Sequence, residues 1–169
     1  MVVRAVMPQF ILSSALGSGM DSDDEVCIPI TTRHYKWSCN ISGSVAEFPS
    51  TVIDMLDCGA HVVLIDLSLV KSLCLCCFCL PKPISVTAAL QEGGVKAKEL
   101  YEYVKLSVSS TNNAWTLNTF IAVLTPNLCV PLLLGSLFLE LNHIVMDFKA
   151  GTTIDKLCGY DLLNPPKIK

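Results

Sequence analysis

The sequence predicts a mostly-β domain, built as a barrel or a sandwich, with one or two short helices. Short apolar segments recur at regular spacing along the chain, and clusters of Gly, Pro, Asn, Asp and Ser separate them. Hydrophobic residues make up 51% of the 169 residues and charged residues only 16%, which excludes disorder for most of the chain. The length fits one domain with a tail.

Residues 1–33 differ from the rest of the chain. They show little regular apolar pattern and combine a Gly-Ser-Gly stretch at 17–19 with an acidic run at 21–25. This composition predicts a flexible N-terminal tail or linker. The β signal begins at His34, so we expect the folded domain over residues 34–166 and a short C-terminal tail over 167–169.

The strands are predicted from apolar alternation, or from short apolar runs that end at turn residues. They cover residues 34–41, 48–56, 62–65, 84–90, 95–108, 115–124, 131–134, 144–148 and 152–154. Helical spacing predicts two short helices over residues 67–73 and 136–141, the first with Asp66 or Ser68 as its N-cap. Gly93 and Gly94 separate two long strands, which indicates a hairpin. Trp37 and Trp115 are expected in the core.

Charge and hydropathy exclude two classes of partner. The formal net charge is −3, so the chain has no basic field for nucleic acid. A membrane-spanning helix needs about 20 apolar residues. The best apolar window, residues 128–139, is shorter and is interrupted by Pro131 and Gly135. We therefore expect no nucleic-acid partner and no membrane span.

The chain has nine cysteines, and four of them fall within six residues: Cys74, Cys76, Cys77 and Cys79. An odd count with this clustering is not typical of a disulfide framework, which favours an intracellular, cytoplasmic protein. Two Cys-x-x-Cys spacings overlap here, but no second Cys/His pair follows at zinc-finger distance. We expect no metal and no cofactor, and interpret these thiols as small, semi-buried apolar side chains.

The candidate functional residue is Asp57, in the run Asp57-Cys58-Gly59-Ala60. Taken alone, Asp-x-Gly is a turn signal. Here both flanking segments, residues 52–56 and 62–65, are apolar, and such surroundings can tune the pKa of a carboxyl group. Strand alternation places Asp54 on the opposite face from Asp57, where we expect it to be solvated or at a dimer edge.

A second apolar segment ending in glycine follows later in the chain, at Leu133, Leu134 and Gly135, and it looks like a crude copy of the first without the aspartate. Further segments complete an ordered set with the Asp57 motif: residues 48–65, 69–73, 101–106, 133–139, 142–147 and 154–165. With this set, the chain resembles the retroviral-type aspartic protease (retropepsin) domain of gypsy-type LTR retrotransposon polyproteins, the fungal ones in particular.

The resemblance implies a closed β-barrel of the acid-protease type that hydrolyses peptide bonds in a polyprotein. Two aspartates share one proton in such enzymes, so that one activates water while the other protonates the carbonyl oxygen. The chain has a single Asp-x-Gly, so the resemblance implies a homodimer with one catalytic Asp57 from each copy.

The resemblance also implies roles for neighbouring residues. Cys58, Gly59 and Ala60 correspond to the active-site loop, with Ala60 on the cleft floor. The hairpin at Gly93 and Gly94 corresponds to the flap, which closes over an extended peptide and pairs with its backbone. The Leu-Leu-Gly at Leu133, Leu134 and Gly135 corresponds to a structural segment.

The sequence departs from the family at Cys58, where most members carry Ser or Thr. A thiol is a weaker hydrogen-bond donor than a hydroxyl. The alternative hypothesis is therefore a catalytically inactive, protease-like dimerisation or peptide-binding module. Such a module would be the remnant of a degenerate retroelement, in which cysteines such as Cys76, Cys77 and Cys79 arose from arginine codons.

Overall fold

The computed structural model describes residues 2–5, 35–43, 50–90 and 94–166. These residues form a mostly-β structure with two short helices, as predicted. The strands are β1 (Val2–Ala5), β2 (Tyr35–Gly43), β3 (Ser50–Asp57), β4 (Leu64–Asp66), β5 (Cys77–Leu90), β6 (Gly94–Ser110), β7 (Thr116–Thr125), β8 (Leu132–Gly135), β9 (Ile144–Asp147) and β10 (Thr152–Asp155). The helices are α1 (Leu67–Ser72) and α2 (Ser136–Leu141), and no described helix is long and apolar enough to cross a membrane.

Eight strands belong to one sheet, in the order β1-β5-β6-β2-β3-β8-β4-β7. Because β6 also pairs with β7, the hydrogen bonds run in a ring from β6 through β2, β3, β8, β4 and β7 back to β6. β5 and β1 extend the sheet outward from β6, while β9 and β10 form a separate antiparallel pair. Two pairs in the ring are parallel, β3 with β8 and β4 with β7, and both join strands that are distant in the chain.

β8 is buried on both faces, which explains why its sequence is continuously apolar. Leu132 and Leu134 belong to the larger of two core clusters. Leu133 lies between them in the strand, points to the other side and belongs to the smaller cluster with Leu64. A single strand of four residues therefore contributes to both cores.

Trp37 and Trp115 are core residues, as predicted, with 4% and 5% of their surface exposed. Their rings lie edge to face with centroids 5.5 Å apart. The indole Nε1–H of Trp115 donates to Oδ2 of Asp155 at 2.7 Å, so this buried donor is satisfied. The bond also connects the large cluster to β10.

Asp66 is the N-cap of α1, one of the two residues predicted for this role. Its Oδ2 accepts hydrogen bonds from the backbone N–H of Ser68 at 3.0 Å and from the Ser68 hydroxyl. Its Oδ1 accepts from the backbone N–H of Leu128 at 2.9 Å. One carboxylate therefore starts the helix and holds the loop that leads into β8.

Four residues of the predicted N-terminal tail form a strand. β1 pairs in parallel with β5, from Val2 opposite Ser85 to Ala5 opposite Ala88. Val2 and Val3 favour extended backbone, but a segment of four residues is too short to show a period in the sequence. Residues 6–33 of the predicted tail and residues 167–169 of the C-terminal tail lie outside the described residues.

β5 begins at Cys77, earlier than the predicted start at residue 84. Pro81 and Pro83 lack a backbone N–H, so the sequence around them does not indicate a strand. The pairing of β5 with β6 shifts register between Cys79 and Ile84. The prolines therefore lie at an irregularity of the ladder, where a missing donor costs little.

The prediction of semi-buried thiols in the cysteine cluster is wrong. Cys74, Cys76, Cys77 and Cys79 are all exposed. The segment leads from α1 into β5, which lies outside the ring of strands, so the large core does not cover it. Within the described residues, no group of three or more His, Cys, Asp or Glu side chains is arranged to hold a metal ion.

Replacing Gly135 by Ala should lower the free energy of unfolding by about 3 kcal/mol or more. The φ of Gly135 is −83°, which any residue adopts. An added Cβ, however, would lie 2.8 Å from the carbonyl oxygen of Ala60 and closer still to that of Val62. These are backbone atoms, which cannot rotate away. Urea unfolding at fixed pH measures the loss.

Gly151→Ala is the matched control. The φ of Gly151 is +67°, and an added Cβ would meet no atom within 4 Å. This substitution only forces a residue with a Cβ into the left-handed backbone conformation, which lowers the free energy of unfolding by about 1–2 kcal/mol. A loss at Gly135 no larger than the loss at Gly151 would contradict the close contact.

Alkylation of the native protein should spare Cys39 and modify the seven exposed cysteines among the described residues. Cys39 is 0% exposed, so a reagent reaches its thiol only after the core opens. Peptide mapping by mass spectrometry measures each site against time, with Cys58 and Cys158 as internal references. If Cys39 reacted as fast as Cys58 in the native protein, the described core packing would be wrong.

Candidate active site

Asp57 is the last residue of β3, at the point where the chain leaves the sheet. β3 runs parallel to β8, with Leu56 opposite Leu134 and Asp57 opposite Gly135. The two similar apolar segments of the sequence are therefore adjacent and in register. Their carboxyl ends meet at one edge, with the aspartate on one strand and the glycine on the other.

The turn after Asp57 orients its carboxylate. The backbone N–H of Gly59 donates to Oδ1 of Asp57 at 2.8 Å, and the backbone N–H of Ala60 donates to the carbonyl oxygen of Asp57 at 3.2 Å. The Asp57 side chain is half-buried, whereas Cys58 and Gly59 are exposed. The loop after Asp57 thus holds Oδ1, Oδ2 lies inside the protein, and the next residue in the chain, Cys58, is exposed.

The start of α2 holds this loop from the other side. The backbone N–H of Ser136 donates to the carbonyl oxygen of Ala60 at 2.6 Å, and that of Leu137 donates to the carbonyl oxygen of His61 at 3.1 Å. Gly135 leaves room for this approach, because a Cβ there would collide with the same loop. The glycine segment and the aspartate loop thus form one unit.

Three of the predicted site residues are buried in the core. Ala60 is 1% exposed and belongs to the smaller core cluster. Leu133 and Leu134 are 0% exposed and point into opposite clusters. Their burial fixes the strand that lies beside Asp57.

The predicted hairpin is present. β5 and β6 pair antiparallel along most of their length, up to Leu90 opposite Gly94. Gly94 is the first residue of β6. Gly93, the other residue predicted at the tip, lies outside the described residues. The two strands therefore form a long arm that extends from the ring.

The expectation that Asp54 is solvated is wrong, since it is 0% exposed. Its Oδ2 accepts a hydrogen bond from Sγ–H of Cys39 at 3.2 Å. Alternation does put Asp54 and Asp57 on opposite faces of β3, but the larger core lies on the face that Asp54 shares with Val52 and Leu56. Burial raises the pKa of Asp54 to about 8, against the opposing effect of the Cys39 hydrogen bond.

No protein-family model matches the sequence, and no curated protein matches it. A similar solved structure is the retroviral protease-like domain of Ddi1 from Leishmania major. The two chains are 10% identical, with a TM-score of 0.47, and the likeness covers 78% of this chain and 94% of that one. A likeness of this size assigns neither a family nor an activity to the chain.

Proposed function

We propose that the chain is an aspartic endopeptidase of the retroviral type. The observation that carries the proposal is the in-register pair of Asp57 and Gly135 at the ends of two parallel strands, with the carboxylate oriented by the N–H of Gly59. The ordered sequence motifs that resemble retropepsins of gypsy-type retrotransposons include both residues. The same resemblance supports a polyprotein as the substrate, while the odd, clustered cysteines favour an intracellular setting.

A homodimer completes the proposed site. General acid–base hydrolysis by carboxyl groups needs two of them close together, sharing one proton. One carboxylate takes a proton from water, which attacks the carbonyl carbon of the peptide, while the other group protonates the carbonyl oxygen. The chain has one Asp-x-Gly, so the second carboxyl group comes from Asp57 of a second copy around a two-fold axis.

The ring of strands and the hairpin provide the remaining parts of this proposal. The ring corresponds to the closed barrel of an acid protease, and the β5–β6 arm corresponds to its flap. An extended peptide would lie between the flap and the two Asp57 loops, and its backbone would pair with the flap as an added strand. No cofactor, metal or nucleic acid enters this mechanism.

Cys58 favours a second candidate function. Its exposed thiol stands where a Ser or Thr hydroxyl braces the paired loops in most retropepsins. A weak donor braces the loops less firmly, and small displacements of catalytic groups cost much rate. The alternative is an inactive protease-like module that dimerises or binds extended peptides.

Asp57→Asn should abolish peptide cleavage and leave the fold intact, because an amide cannot act as a general base. We expect a loss of at least about a hundredfold, down to the limit of detection. The measurement is cleavage of a peptide library at acidic and neutral pH, with and without a transition-state-mimicking aspartic protease inhibitor. Circular dichroism of the variant checks the fold.

Cys58→Ser and Cys58→Thr should hold or raise the activity, because each restores a hydroxyl donor beside Asp57. The same peptide library measures the rate. If Cys58→Ser lost all activity while Asp57→Asn kept it, Cys58 would be the nucleophile and the aspartic mechanism would be wrong. If neither the wild type nor Cys58→Thr cut any peptide as a confirmed dimer, the inactive module would replace the enzyme.

A further inference from the structure

The Asp54–Cys39 pair lies in the large core, on the face of β3 that points away from Asp57. We propose that this pair is a pH-sensitive device, which favours the folded domain in acidic solution and weakens it as the pH rises. This pair acts on the stability of the folded domain, whether or not the chain cleaves peptides.

The geometry places a carboxyl group where an ion is poorly solvated. Asp54 is 0% exposed, and its nearest neighbours on the same face of β3 are Val52 and Leu56. The Cys39 thiol at 3.2 Å is a weak donor to Oδ2. Oδ1 is buried and has no hydrogen-bond partner among the described residues. A negative charge here would lack the donors that usually compensate a buried carboxylate.

The strands beside β3 provide no cation for this charge. β2 carries the titratable residues Tyr35, Lys36 and Cys39, of which Lys36 is exposed and lies opposite Met55, on the face of the sheet away from Asp54. The Tyr35 hydroxyl donates to the backbone carbonyl oxygen of Asp147. β8, the other neighbour of β3, consists of three leucines and a glycine.

A second buried carboxyl group lies further along the same core. Trp37, opposite Asp54 in the β2–β3 ladder, packs against Trp115, whose N–H donates to Asp155. Asp155 also accepts from the backbone N–H of Leu157 at 2.8 Å. Asp155 therefore accepts from an indole N–H and a backbone N–H, whereas the side-chain donor to Asp54 among the described residues is the weak thiol of Cys39.

The direction of the pH effect follows from the two protonation states. Burial raises the pKa of Asp54 from 3.8 to about 8 in the folded protein. Between these two values the folded state keeps the proton and the unfolded state releases it. The folded state therefore binds more protons, and stability falls as the pH rises through this window. The stabilising contribution of Asp54 is complete below about pH 4 and is lost by about pH 8. A difference of one bound proton between the two states changes the folding equilibrium constant about tenfold per pH unit.

The experiment compares urea unfolding of the full wild-type chain and of Asp54→Asn from pH 4 to pH 9. Asparagine has nearly the same shape and cannot acquire the charge. The ratio of the two folding equilibrium constants, variant over wild type, should rise by up to about tenfold per pH unit and level off near pH 8. If Asp54 contributed only through packing, the ratio of the two folding constants would be the same at every pH.

Asp155→Asn is the matched control, since it removes another buried carboxylate of opposite behaviour. Burial alone would raise the pKa of Asp155, but hydrogen bonds, first that from Trp115, outweigh it and lower the pKa. Its stabilising contribution is present at neutral pH and is lost only as the pH falls through the acidic range. The variant-to-wild-type ratio for Asp155→Asn should therefore stay constant between pH 5 and pH 9.

A second measurement covers the case in which Asp54→Asn fails to fold. The ¹³C resonance of the Asp54 carboxyl carbon in the wild-type protein should titrate with a midpoint near 8. A midpoint near the ordinary value of about 4 would overturn the inference, and so would a ratio of folding constants that does not change with pH.

Discussion

The close approach of two backbone segments at Gly135 is the constraint on which the rest of the structure depends. The carbonyl oxygens of Ala60 and Val62 occupy the space where any other residue would carry a Cβ. This contact lets β8 lie against β3 and lets the first N–H groups of α2 reach the loop after Asp57. The position of Asp57 is thus determined by Gly135, which lies 78 positions later in the chain.

Most of the elements could be predicted because their signals are local. Alternation and turn residues indicate the strands, and the acidic N-cap at Asp66 marks the start of α1. The beginning of β5 could not be predicted, because Pro81 and Pro83 suppress the strand signal while the register shift accommodates them. The pairing of β3 with β8 depends on contacts between residues that are distant in the chain. The similarity between the two segments suggests that they are related, but it does not specify that they pair.

The candidate site was predictable in part for a related reason. The turn residues identify the Asp57 loop, and the structure adds the hydrogen bonds that hold it. Periodicity also shows that Asp54 and Asp57 lie on opposite faces, but it does not say which face meets the larger core. β3 has apolar residues on both faces, for example Val52 and Met55, and so the burial of Asp54 was visible only in the structure.

The double burial of β8 also affects how the protein can change its sequence. Leu133 faces one cluster and its neighbours Leu132 and Leu134 face the other, so a single backbone forms a wall between two cores. If β8 shifted to relieve crowding in one cluster, it would leave a cavity in the other. Size changes in either cluster must therefore be balanced by substitutions within that same cluster, which makes the two cores drift separately in evolution although they share a strand.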